Sequence, residues 1–274
     1  MKRFLLIFLL FTVTSQASGP EKIKWFQKLD QAQAESVKAT KPIFIDCFAD
    51  WCFWCHKLEE EVYSNPKFIR FMENLVPLRI NVEDNGEGTR LAQEYQLTGL
   101  PTLLIIDSNG KLLNRIGGYL EAEDLIADVA LVQDLLEKEK KNPADWALRY
   151  QLGREYLARE MSSEAEARFK RILQSDDASA SLKESAQFSL ALTQYYQRKL
   201  DDSLATLQKY RTTYPQAESD EDALLLLSEI YLQKDSNEMA RQTIQEFLTK
   251  YPKSGNVHRA QEVLATIDAL SRPE

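Results

Sequence analysis

Cys52 and Cys55 close the run Asp46-Cys-Phe-Ala-Asp-Trp-Cys-Phe-Trp-Cys. A C-x-x-C pair at the mouth of a strand and the start of a helix can carry two-electron chemistry. The helix N-terminus supplies partial positive charge and unpaired N–H groups, which favour a thiolate at the first cysteine. Cys52 is therefore the expected nucleophile. Cys55, one turn further in, is placed to attack the resulting mixed disulfide and release the other partner. The same residues with His56 spell C-x-x-C-H, the pattern for covalent attachment of a c-type haem. That reading needs surrounding helices and an axial ligand, whereas here an apolar strand precedes the motif. A zinc site would need a second ligand pair at suitable spacing, and the chain has only His56 and His258 besides its cysteines. Neither a metal nor a cofactor is expected.

Several elements must hold this pair in place. Residues 43–49, Ile-Phe-Ile-Asp-Cys-Phe-Ala, read as a short strand buried on both faces, with Asp46 as the anomaly inside it. Cys47 alternates away from Asp46 and reads as a small buried hydrophobe. Upstream, apolar residues from Trp25 to Ala39 follow a helical period that Lys41-Pro42 ends. Downstream, helices are expected over 55–62, 67–73 and 89–95, strands over 75–82 and 101–107, and a hairpin partner over 111–116 across Ser108-Asn109-Gly110. A long helix over 121–140 closes the unit. Strands alternating with helices and ending in a hairpin predict a mixed α/β sheet flanked by helices.

Beyond Pro143 no strand pattern remains. Leu152, Gly153, Tyr156, Ala165 and Phe169 fit the spacing of a tetratricopeptide (TPR) repeat. Leu190, Ala191, Ser203 and Leu207 repeat it, and Leu227, Ser228, Tyr231, Ala240 and Ile244 repeat it again. Such periods mean stacked helix pairs, because one pair cannot bury its apolar face alone. Tyr214-Pro215 and Tyr251-Pro252 are expected to end second helices, and residues 254–270 to form a capping helix.

A hydrophobic content of 44% excludes disorder, and a formal charge of −8 without a basic run argues against a nucleic-acid partner. Residues 1–17 carry Lys2 and Arg3, an apolar run from Phe4 to Val13 and a small-x-small end at Ser15-Gln16-Ala17, which reads as a cleavable signal peptide. The apolar run is well short of the ~20 residues that span a bilayer. An exported, periplasmic chain is expected, in a compartment where disulfides persist. With three cysteines, that leaves a working pair and a spectator at Cys47.

These residues resemble the thioredoxin superfamily and, within it, the C-terminal thioredoxin-like domains of the disulfide reductase DsbD. The resemblance rests on Asp46 six residues before Cys52, A-D-W-C-x-x-C at 49–55, Glu59, S-N-P at 64–66 and G-L-P-T at 99–102. It implies a cis peptide before Pro101 and backbone near Leu100 that pairs with an extended substrate. It also implies that Asp46 exchanges protons with Cys55 and that Glu59 helps set the thiol pKa values. Each residue also has a plainer reading: Asp46 paired with Lys57 or Arg79, Glu59 on a solvated helix face, Trp51 and Trp54 in the core rather than on a substrate platform. The expected architecture is a signal peptide (1–17), a thioredoxin-like α/β domain (21–141) and an all-α TPR-like domain (143–270). The expected function is disulfide reduction or exchange on protein substrates through Cys52 and Cys55, supplied by a membrane electron donor, with a protein partner on the repeats. The alternative is a scaffold whose thioredoxin-like domain does not turn over.

Overall fold

The computed structural model describes residues 22–270, so the proposed signal segment lies outside the described residues. The first half of the chain contributes a mixed four-stranded sheet with the order β2-β1-β3-β4. Strands β1 (Ile43–Phe48) and β2 (Val76–Asn81) run parallel, with Asp46 opposite Arg79. Strands β3 (Thr102–Ile106) and β4 (Leu112–Gly117) form the expected antiparallel hairpin. Every residue of β1 from Ile43 to Cys47 is buried, as a continuous apolar run predicts.

Around the sheet lie α1 (Leu29–Ala39), α2 (Phe53–Lys57), α3 (Pro66–Met72), α4 (Glu87–Glu94) and α5 (Ala122–Lys141). The expected helix from Trp25 is corrected: it begins only at Leu29. Strand β2 lies at the sheet edge, where backbone groups need partners. Phe26 supplies them, donating its N–H to the Pro77 carbonyl at 2.8 Å and accepting from the Arg79 N–H at 3.0 Å. Trp25 packs its ring against Phe44 and Tyr63. The apolar residues that mimic a helical period are thus spent on a strand-like bridge.

Compactness separates two units. Among the described residues, one holds 22–101 together with 107–110 and 118–126; the other holds β3, β4 and 127–270. In the second unit Val132 and Leu135 of α5 share a core with Leu152, Tyr156 and Phe169, and Leu112 of β4 packs against it. Polar links reinforce this core. Glu139 binds Arg149 at 2.9 Å and Arg168 at 3.0 Å, while Asp128 binds Arg159 at 2.9 Å and accepts from the Asn114 amide at 3.3 Å.

The remainder is helical: α6 (Trp146–Ala158), α7 (Ser162–Leu173), α8 (Ala180–Tyr196), α9 (Leu200–Thr213), α10 (Asp220–Gln233), α11 (Asn237–Lys250) and α12 (Val257–Leu270). Helices α9 and α11 end just before Tyr214-Pro215 and Tyr251-Pro252. Val257, Ala260, Val263 and Leu264 of α12 cover the last apolar cluster beside Ile244 and Phe247, as a cap should.

The repeats keep their interhelical contact by compensating volumes. Gly153 faces Phe169, and a Cβ on Gly153 would stand 2.7 Å from that ring. Ala191 and Leu207, and Ser228 and Ile244, likewise lie sixteen positions apart, and all four are buried. The largest second residue is matched by the smallest first one. Gly153→Ala should cost about 1–2 kcal/mol through overpacking. Adding Phe169→Leu should recover part of that cost, so the pair couples. Urea unfolding of the two single variants and the double variant checks this; strict additivity would refute the compensation.

Candidate active site

Cys52 is the N-cap of α2: its Sγ accepts from the Cys55 N–H at 3.2 Å, and its own N–H donates to the Ala49 carbonyl at 3.0 Å. The two sulfurs are joined in a disulfide with Cα atoms 5.3 Å apart. Cys55 is fully buried, while Cys52 keeps 3% of its surface exposed, so an incoming sulfur meets Cys52 first. The backbone donor aimed at Sγ of Cys52 favours charge there once the bond opens. Cys47 is a buried thiol outside the disulfide.

Helix α2 passes directly into a π-helical turn over Leu58–Val62, which carries Glu59, Glu60 and Glu61. Such wide turns are rare and recur at functional sites. Glu59 is half exposed and binds Arg79 Nη1 at 2.9 Å. Arg79 in turn places Nε 3.1 Å from Asp46 Oδ2 and its guanidinium 4.5 Å over the Phe48 ring. The Arg79–Asp46 contact is an ion pair without the alignment of a directed hydrogen bond. Asp46 is completely buried. Burial, countered in part by Arg79 and by the adjacent Tyr63 hydroxyl, raises its pKa to about 6. Burial and the Asp46 charge push the Tyr63 phenol well above its ordinary range.

Asp46 and Glu59 are therefore linked through one guanidinium. Arg79 as partner of Asp46 matches the plainer reading of that residue, while Lys57 binds Glu61 at 2.8 Å and Glu60 at 3.7 Å instead. Tyr63 carried no sequence signal of this role. Arg79 was one of two cations the sequence offered as a partner for Asp46, and the parallel register, which sets it opposite Asp46, decides between them.

Trp51 and Trp54 stand on the surface: Trp51 is 69% exposed, Phe53 61% and Trp54 52%. Trp51 donates its indole N–H to Glu83 at 2.9 Å. Trp54 packs against Phe53 and Tyr119, and the Tyr119 hydroxyl donates to Glu61 at 2.7 Å. His56 donates Nε2–H to the Asp50 carbonyl at 2.9 Å when protonated there. The Leu100-Pro101 bond is cis, as the resemblance implies; Leu100 is partly exposed, and the Pro101 carbonyl accepts from Gly118 N–H at 2.9 Å. Among the described residues no group of three or more His, Cys, Asp or Glu side chains is arranged to hold a metal ion.

A C-x-x-C disulfide at a strand-to-helix junction, a buried aspartate on the preceding strand and a cis-proline before the hairpin together define a thioredoxin-like domain. Residues 29–133 match the thioredoxin-like domain family, and residues 185–217 and 222–254 match tetratricopeptide repeats. The chain is similar to the thiol:disulfide interchange protein DsbD of Campylobacter jejuni (strain RM1221), 30% identical over 120 residues, or 43% of this chain and 21% of that protein. The Escherichia coli (strain K12) protein of that name is 32% identical over 109 residues, covering 39% and 19%. The chain thus spans about a fifth of the length of these curated relatives. Among solved structures, the oxidised C-terminal domain of Neisseria meningitidis DsbD is 27% identical, with a TM-score of 0.33 over 38% of this chain and 95% of that one. The α6–α7 pair lies outside the matched repeats, yet Leu152, Tyr156, Ala165 and Phe169 are buried in one cluster, as their spacing predicts.

Proposed function

We propose that this chain is an extracytoplasmic thiol:disulfide oxidoreductase that reduces or exchanges protein disulfides through Cys52 and Cys55. The observation that carries this reading is the Cys52–Cys55 bond, with Cys52 at the N-cap of α2 and a buried Asp46 on the strand leading to it. In the reduced form, the Cys52 thiolate attacks one sulfur of a client disulfide and expels the other as thiolate. Cys55 then loses its proton and attacks Cys52 Sγ, reforming the protein disulfide and releasing the second client thiol. Two electrons pass from protein to client, and a dithiol donor returns them. We assign Asp46 as the group that exchanges a proton with Cys55, with Arg79 and Glu59 carrying charge balance toward solvent. Trp51, Trp54, Leu100 and Pro101 form the substrate-binding side of the site.

Export to the periplasm rests on the signal pattern of residues 1–17. Among the described residues no helix is long and apolar enough to cross a membrane. The electron donor is assigned to a membrane protein on the resemblance to DsbD. The helical repeats recruit a protein partner, in a domain that begins near residue 143. Linkage to the repeats raises the local concentration of a bound client at the dithiol.

The test is the equilibrium reduction potential of the Cys52–Cys55 couple in glutathione or dithiothreitol buffers. A reversible couple near the ~−270 mV of thioredoxin is expected. A value near ~−120 mV would make the chain an oxidant of client thiols instead, and no reversible couple would leave it a scaffold.

A further inference from the structure

Among the described residues the large exposed apolar side chains include Trp51, Phe53 and Trp54, which flank or lie between the two cysteines. Solvent-facing aromatics clustered beside a reactive bond mark a contact surface. Here the surrounding carboxylates outnumber the cations. Trp51 is tied to Glu83, and Trp54 is tied through Tyr119 to Glu61. Lys57 and Tyr119 hold the Glu61 carboxyl below the ordinary carboxylate range, so it stays ionised at working pH. Glu60 is 67% exposed on the same turn. The neighbouring cations are already engaged: Lys57 by Glu60 and Glu61, Arg79 by Asp46 and Glu59.

We propose that this face selects cationic clients: an extended polypeptide segment with Lys or Arg beside its disulfide cysteine, its apolar stems and charges lying over Trp51, Phe53 and Trp54 and against Glu60, Glu61 and Glu83. The chemistry fits on two counts. Aromatic faces attract guanidinium and ammonium groups, and more so where water is displaced. Carboxylates around the rim steer a cationic segment in and repel an acidic one. A neutral apolar client would use the aromatic face but draw nothing from the charge of the rim. The inference rests on the oxidoreductase reading and specifies its substrate class.

The experiment uses three disulfide-linked peptides of equal length whose cysteine is flanked by Arg and Lys, by Ser, or by Glu. Reduction by the full chain is followed at low salt and at 0.5 M sodium chloride. The cationic peptide is expected to show kcat/KM about tenfold above the neutral one at low salt. High salt should compress that ratio to within about threefold. Combining Glu60→Gln, Glu61→Gln and Glu83→Gln should bring the cationic peptide down toward the neutral one, whereas Asp202→Asn with Asp235→Asn on the helical repeats should not. Equal rates for all three peptides, or preference for the acidic one, would overturn the proposal. If no peptide is reduced, the oxidoreductase reading fails, and the surface is judged separately by tryptophan-fluorescence titration with the same peptides. Binding without preference for positive charge then overturns it as well.

Discussion

Cys52→Ser should leave the chain folded but lower its disulfide-reducing turnover by at least about 10³-fold, because a serine hydroxyl cannot supply a thiolate. Cys55 cannot take over, since it is fully buried while Cys52 keeps the exposed sulfur edge. Cys55→Ser has a different expected outcome. Cys52 still attacks, no resolving thiol follows, and a mixed disulfide between Cys52 and the client accumulates. Mass spectrometry of the trapped adduct distinguishes the roles: a client joined to Cys52 in Cys55→Ser supports the order of attack. Full turnover in Cys52→Ser, or preferential trapping through Cys55, would refute it. Circular dichroism of both variants shows whether the fold is intact, as expected for changes of one atom at a helix start.

Asp46→Asn should stabilise the oxidised protein at alkaline pH. Burial raises the Asp46 pKa to about 6, above its value in an unfolded chain. Its stabilising contribution is therefore complete when the unfolded chain is also protonated, and it is lost as pH rises through about 6. A shift of that size corresponds to roughly 3 kcal/mol of penalty on the ionised form. Asparagine carries no such penalty but leaves Arg79 with Glu59 alone, so a gain of about 2 kcal/mol at pH 8 is expected, vanishing near pH 4. Chemical unfolding of both proteins at the two pH values gives the answer. A wild type that is equally stable or more stable at pH 8 would show that the Arg79 ion pair satisfies the carboxylate. The same destabilised charge is what would make Asp46 a proton acceptor near neutrality.

Much of the site was legible because its chemistry demands unusual residues in regular surroundings. An aspartate inside an apolar run, a cysteine pair after it and a G-L-P-T segment stand out against the strand pattern, and the structure puts Asp46 in the buried strand and Pro101 in a cis bond. The repeats were legible for a related reason: a small residue must recur where two helices touch, so Gly153, Ala191 and Ser228 keep spacing even where their chemistry differs. Tyr63 and Tyr119 were not singled out, because each belongs to the site through tertiary contact, whereas Arg79 was legible as one of two candidate partners of Asp46. Trp25 and Phe26 misled for a physical reason. Helical periodicity and a short edge bridge both place apolar residues at such intervals, and only the open edge of β2 decides between them. The π-helical turn under Glu59 has no compositional signature, since Leu-Glu-Glu-Glu-Val would suit an ordinary helix equally well.

The grouping of β3, β4 and most of α5 with the helical repeats also bears on how the molecule comes apart. Val132 and Leu135 look into the same apolar cluster as Leu152, Tyr156 and Leu112, and Asp128 ties Asn114 to Arg159. Amides of β4, of α5 beyond Ala127 and of α6 are therefore expected to open together in hydrogen exchange, whatever boundary the change of composition near Asn142 draws. A chain cut at that asparagine would bare a greasy helix face, and its hairpin amides would exchange faster than in the intact protein.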